Sequence, residues 1–218
     1  MMQALESGAG RSSLSRMTRL IIIRHGHVEG IDPARFRGRT ELALTELGRR
    51  QAAAVAARIA ATCSPIALYS SPMGRCLETA GAIGAAAGLQ PQVLDALNDL
   101  DYGDWSWKTY AEARAEAPEL FDRWFAQPQL VRFPGGESLQ DLVGRTADAL
   151  RLVIERHPDD LVVMVGHDST GRASLLQLLD QPLSAYWRLG QSPCAINEID
   201  LGPGRIRVQR INDAAHLD

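Results

Sequence analysis

The chain has 218 residues, 45% of them hydrophobic and 22% charged, with a formal net charge of −3. That length can bury the core of one domain, and so mild an acidic balance gives no reason to expect nucleic acid or an anionic membrane surface as a partner. Its 23 basic residues include a single lysine, Lys108, which follows "DWSW" rather than a glycine-rich loop, so P-loop chemistry is excluded.

Three scattered cysteines, Cys63, Cys76 and Cys194, form no CxxC pair and leave an odd count. This argues against a disulfide framework or a zinc knuckle and fits a reducing cytoplasm. No run approaches the ~18–20 apolar residues of a membrane span. Residues 1–17 lack the apolar stretch of a signal peptide and are expected to be a flexible leader, with Met17 a candidate start; one domain is expected over 18–218.

In chain order, "RLIIIRH" is a continuous apolar run, as expected of a strand covered on both faces. "LTELGRRQAAAVAARIAAT" predicts a helix capped by Thr45, with Leu47, Val55 and Ile59 near helical spacing. "IALYSS" predicts a second strand, and "PMGRCLETAGAIGAAAG" a helix with proline at its start and Gly88 at its close. "PQVLDALNDLDYG" reads as a third strand and a loop. "TYAEARAEAPELFDRWFAQP" is a Pro-interrupted helical segment carrying Phe121, Trp124 and Phe125, within an insertion at about 102–135. Ser138, with Asp141 three residues on, starts a strong helix as a capping box. "LVVMVGH" is another buried strand, followed by the helix "TGRASLLQLLD". "CAINEIDL" and "RIRVQRI" around "GPG" predict a hairpin at a sheet edge. The alternation implies an α/β fold: a three-layer αβα sandwich with a mostly parallel central sheet and a helical insertion over the active-site edge.

In such folds ligands bind beyond the carboxyl ends of the strands. Two buried strands end there in histidine, His25 and His167, and the chain supplies Arg24, Arg37 and Arg75 nearby, the last at a helix start. Two imidazoles and several guanidiniums suit a dianionic phosphate, because arginine matches its oxygens bidentately and a helix N-terminus adds amide donors. A neutral imidazole can attack phosphorus. His25 and His27 alternate along a strand and so point to opposite faces, which argues against their sharing a metal ion; no metal and no cofactor are expected. His27 reads as a rim or structural residue, His157 and His216 as solvated, Asp101 and Asp104 as loop-capping or exposed, and Arg172 as a surface ion pair in preference to a substrate contact. Trp105 and Trp107 either line a substrate pocket or fix the loop.

"RHG", "LTELGRRQA", "SSPMGRCLETA", "LNDLDYGDW", "GGES" and "VVMVGH" occur in the order seen in the histidine phosphatase superfamily, and the chain resembles its phosphoglycerate-mutase-like branch from about Leu20 to about Leu217. The resemblance implies that His25 is the nucleophile that becomes phosphohistidine, and that Arg24, Gly26, Arg75 and His167 belong to the phosphate pocket. It places Asp99 where the family's proton-donating glutamate commonly stands, and Glu137 of "GGES" at the pocket rim, orienting basic groups. Val28 and Ile31 stand where polar phosphate contacts are frequent, and Arg37 where a glutamine is frequent. Asp168, after the second histidine, forms the "HD" pair of the phytase-like branch and is a second candidate acid, with Asp99 favoured.

The implied activity is metal-independent hydrolysis of a small phosphomonoester through a phosphohistidine, of the histidine acid phosphatase type. The alternatives are a cofactor-dependent phosphoglycerate mutase and a non-catalytic phospholigand-binding module. The short segment before His167 and the lack of a basic residue after the acid weigh against the first, and retention of both histidines against the second. Substrate identity and oligomeric state, a homodimer included, are beyond the sequence.

Overall fold

The structure is a computed structural model described for residues 17–217. The expected leader therefore lies outside the described residues, apart from Met17. Among the described residues six strands form one sheet: β1 (Thr18–Arg24), β2 (Ala67–Ser70), β3 (Gln92–Val93), β4 (Leu161–Gly166), β5 (Ile196–Gly202) and β6 (Arg205–Asp213), in the order β3-β2-β4-β1-β5-β6. The pairings β2–β3, β2–β4 and β1–β4 are parallel. The chain then turns back, so that β5 runs antiparallel to β1 and β6 completes the hairpin at the edge. The sheet is mostly parallel, as the strand–helix alternation implies.

β1 shows how the layers arise. Leu20, Ile21, Ile22 and Ile23 are all at most 4% exposed. Because side chains alternate across a strand, Ile21 and Ile23 pack with Val55 and Ile59 of α1 (Glu46–Thr62) and with Ala80 and Ile83 of α2 (Gly74–Ala87). Leu20 and Ile22 face the other way, onto Leu150 and Val153 of α5 (Leu139–Arg156) and Leu175 of α6 (Asp168–Leu178). Each such aliphatic side chain contributes about 1.5–3 kcal/mol by leaving water. A strand buried on both faces is a rigid mount for whatever follows it.

Thr45 caps α1 by accepting from the Gly48 N–H at 3.1 Å, and the Ser138–Asp141 capping box opens α5. Gly88 ends α2 in the left-handed conformation, at φ 71°. Two details differ from the sequence reading. Pro72 precedes the cap residue Met73 rather than occupying the helix. Leu47 is 42% exposed, because the first turn of α1 packs against the end of β1 through Gly48 instead.

The insertion contributes α3 (Tyr110–Glu116) and α4 (Pro118–Ala126), with Pro118 at the first position of α4. They enclose a third core, with Trp105, Trp124 and Phe133 packed against Phe36, Leu142 and Tyr186. Among the described residues, no helix is long and apolar enough to cross a membrane.

Candidate active site

Three neighbouring strands end in register. Arg24 pairs with Gly166, and Ser70 with Val165. The backbone ladder continues one step further, through His25 N–H to Gly166 O at 2.9 Å and Ser71 N–H to Val165 O at 3.0 Å. Ser71, His167 and His25 therefore stand side by side at the carboxyl edge of the sheet. The two imidazoles lie edge to face, with ring centroids 5.3 Å apart.

Gly26 lets the chain leave β1 against the first turn of α1, since a Cβ there would meet Gly48 O at 2.5 Å. A Cβ on Gly48 would in turn meet His27 O at 2.1 Å. The two glycines are a mutual requirement of this close approach. Gly26 also holds His25: its carbonyl accepts from the His25 Nδ1 at 2.7 Å, while its own N–H donates to Thr79 Oγ1 at 3.1 Å.

A carbonyl only accepts, so this contact assigns the imidazole proton to Nδ1 and leaves a lone pair on Nε2. Arg75 Nε donates to that Nε2 at 3.2 Å, in agreement with the assignment. Burial and the neighbouring Arg75 charge push both His25 and His167 well below the usual imidazole range. A neutral imidazole, in the tautomer that a nucleophile at Nε2 requires, is thus present without a separate base.

Arg75, in the first turn of α2, is fully buried. Its remaining donors reach Thr40 O at 2.9 Å, Gly38 O at 2.6 Å and Asp99 Oδ2 at 3.0 Å. The Nε and Nη2 groups form the fork edge that grips two oxygens of a phosphate. His25 Nε2 and Asp99 Oδ2 share that edge here, which puts the candidate nucleophile beside the candidate acid. Asp99 Oδ2 also lies 3.5 Å from His167 Nδ1, and Asp99 Oδ1 accepts from Ser169 Oγ at 2.5 Å and from the Leu100 N–H at 2.9 Å. Ser71 Oγ meets His167 Nε2 at 2.8 Å.

Arg24 is buried and donates to Gln191 O at 2.5 Å; its Nε has no protein partner. Arg37 donates to Gly30 O at 2.5 Å. Glu137 does not join the imidazoles. It accepts from Arg39 at 2.8 Å, from Arg145 at 2.9 and 3.0 Å and from the Asp101 N–H at 3.0 Å. Arg145 spends its other donors on the carbonyls of Ala96, Asn98 and Asp99. Glu137 and Arg145 together clamp the loop that carries Asp99. Asp168 pairs with Arg172 at 2.6 Å.

Several residues depart from the sequence reading. Arg172 is not a surface ion pair: it is buried, donates to Leu189 O and lies over Tyr186 and Trp187. His157 is not solvated, because its Nε2 bonds Tyr69 Oη at 2.9 Å, and His216 Nε2 meets Cys194 O at 3.1 Å. Trp105 is buried and fixes its loop, while Trp107 takes φ 66° under Arg35. His27 bonds Thr45 Oγ1 at 2.9 Å, outside the imidazole pair. Sequence reasoning did not single out Ser71, Ser169 or Arg145. Ser71, inside the quoted "SSPMGRC", carried a signal; Ser169 carried only its place two residues after His167.

Among the described residues no three His, Cys, Asp or Glu side chains converge to hold a metal ion. The arrangement suits an in-line attack by imidazole on a phosphorus whose oxygens are held by guanidiniums and amide donors.

The sequence profile of the histidine phosphatase superfamily (branch 1) matches residues 20–214, and the chain belongs to this superfamily. It is a phosphatase by class, a hydrolase of phosphomonoesters. It is 32% identical to phosphoserine phosphatase 1 of Hydrogenobacter thermophilus over 92% of this chain and 95% of that one. A metal-independent phosphoserine phosphatase of Arabidopsis thaliana is 30% identical over 93% and 84% of the two chains. The solved structure of a mycobacterial glucosyl-3-phosphoglycerate phosphatase superposes with a TM-score of 0.83 at 28% identity, over 91% of this chain and all of that one. Some mycobacterial relatives are longer, and the chain spans 55% of a bifunctional one.

Proposed function

We propose that the chain hydrolyses a small phosphomonoester without a metal ion, through a phosphohistidine on His25. The observation that carries this reading is the His25 tautomer, fixed between Gly26 O and Arg75 Nε. The Nε2 lone pair attacks phosphorus, the N–P bond forms, and the bond to the leaving oxygen breaks. Asp99 gives that oxygen its proton. In the second half, water attacks phosphorus while Asp99 takes its proton, and the N–P electrons return to Nε2 as phosphate departs. Arg75 and His167, with Arg24, balance charge on the equatorial oxygens.

Asp99 is preferred to Asp168 as the acid because it shares the guanidinium edge with His25, whereas Asp168 is tied to Arg172. Ser169 and Leu100 hold its other oxygen, so the carboxyl is aimed rather than free to swing. A mutase would use the same pocket and keep the phosphate; the hydrolase names of the relatives and the absence of a basic residue after Asp99 favour water as acceptor. The three unpaired thiols fit a cytoplasmic setting.

The test is turnover of p-nitrophenyl phosphate in EDTA by the wild type and by His25→Ala. Turnover by the wild type alone supports the reading. Equal turnover by both removes His25 from the mechanism, and loss of the wild-type rate in EDTA removes metal independence.

A further inference from the structure

We infer that Asp168 selects the substrate, by accepting a hydrogen bond from an ammonium or hydroxyl group on the leaving part of the phosphomonoester. The inference rests on the phosphatase reading above and adds a substrate class to it.

Asp168 follows His167 directly and begins α6. One of its oxygens, Oδ2, is fixed by Arg172 Nη1 at 2.6 Å. Arg172 cannot follow a moving carboxylate, because its Nε is bound to Leu189 O at 2.7 Å and its guanidinium lies 4.9 Å from the Trp187 ring centre and 5.2 Å from that of Tyr186. The side chain is 29% exposed as a whole, and its second oxygen, Oδ1, has no hydrogen-bond partner in the protein.

A shielded carboxylate oxygen without a donor costs free energy, so such atoms in native sites need a reason. Its surroundings supply one. The charges acting on Arg24 and on Tyr110 include both Asp168 and Arg172, with Arg37 beside them. Arg172, which holds Asp168, and Arg24 donate to carbonyls of the same loop, Leu189 O and Gln191 O, so Asp168 is an acceptor on the side of the site that carries these guanidiniums, with Asp99 the other carboxylate acting on Arg24. The guanidiniums suit anionic oxygens of the substrate. Asp168 Oδ1 suits only a donor, which an ester oxygen or a carboxylate cannot provide and an ammonium or a hydroxyl can. Asp99 already meets the need for an acid, so a proton-transfer role for Asp168 is not required.

The test uses three phosphomonoesters with the same three-carbon carboxylate frame: O-phosphoserine, 3-phosphoglycerate and 3-phosphonooxypropionate. They carry an ammonium, a hydroxyl and only hydrogen at the second carbon, and all three have alkoxide leaving groups that need an acid. The wild type should turn over O-phosphoserine or 3-phosphoglycerate with a kcat/KM about 10- to 100-fold above that of 3-phosphonooxypropionate, the effect of one hydrogen bond to a charged group. Whichever of the two stands higher identifies the donor.

In Asp168→Asn the ratio should fall towards one. Equal rates on all three substrates in the wild type would overturn the inference while leaving the phosphatase reading intact, and need no variant. A uniform loss on all three in Asp168→Asn would overturn it in favour of a general acid. No turnover of any of the three by a wild type that is also inert towards p-nitrophenyl phosphate would instead sink the phosphatase reading beneath it.

Discussion

The strand-end site and the expected insertion are held in opposite ways. At the strand ends every element is polar and singly defined: Arg75 places four hydrogen bonds, and His25 is fixed at both nitrogens. In the insertion the contacts are aromatic and shared. Trp124 is fully buried, with ring centres at 5.0 Å from Phe133, 5.2 Å from Trp187 and 5.5 Å from Tyr186. Hydrogen bonds fix the direction of each partner, whereas the aromatic cluster holds its members by close packing of ring faces and edges. The candidate site sits where direction is fixed residue by residue, and the aromatic cluster where it is shared among many.

Four changes would break or sharpen this contrast. The largest effect is expected at His25: His25→Ala should lower kcat on p-nitrophenyl phosphate by about a thousandfold or more, since covalent catalysis has no substitute nucleophile at Nε2. Next comes the acid. Asp99→Asn should cut kcat on an alkyl phosphate by about 10²–10⁴-fold, the usual worth of positioned proton transfer. Asp168→Asn should cost far less on a substrate without a second donor. The reverse ranking would move the acid to Asp168.

The third change addresses the insertion. Trp124→Ala should lower stability to urea by about 3–5 kcal/mol through the cavity it leaves. Where the variant stays folded, kcat on p-nitrophenyl phosphate should fall far less than in His25→Ala. An equal collapse of activity would mean that the two regions are not separable.

The smallest effect is a pH dependence. His25 and His167 are held below the ordinary value of 6.5 by burial and by Arg75. Protonation of the free enzyme's nucleophile should therefore not limit kcat/KM until the pH is well below 6.5, and a pH–rate profile checks this. Stability follows the same sign. Between the lowered folded values and 6.5 the unfolded chain binds more protons, so stability is fully present above about 6.5 and declines as the pH falls through that window. Urea midpoints that stay flat from pH 7 down to pH 5 would argue against the burial of the two rings.

The legibility of the molecule in its sequence follows the same division. β1 and β4 were readable because a strand buried on both faces has no polar residue to alternate with, and their terminal histidines stand out against it. Arg75 was readable from its place at the start of a helix after "LYSS". Ser169 and Arg145 were not, because they act on Asp99 from 70 and 46 residues away and no local pattern marks such a contact. Arg172 was misread for a related reason. One turn into a helix an arginine beside an aspartate looks like a solvated pair, and only the arrival of Tyr186 and Trp187 over it shows that it is buried. Leu47 failed the other way, since helical spacing alone does not show that the first turn packs through Gly48.

The central claim is that His25 Nε2 carries the phosphate. Rapid acid-free quenching of the enzyme during turnover of a ³²P-labelled phosphomonoester, in EDTA, followed by peptide mapping, tests it directly. The account predicts label that is stable to base, labile to acid and located on His25, and absent from His25→Ala. Steady turnover by the wild type with no label on His25 under these conditions would contradict it.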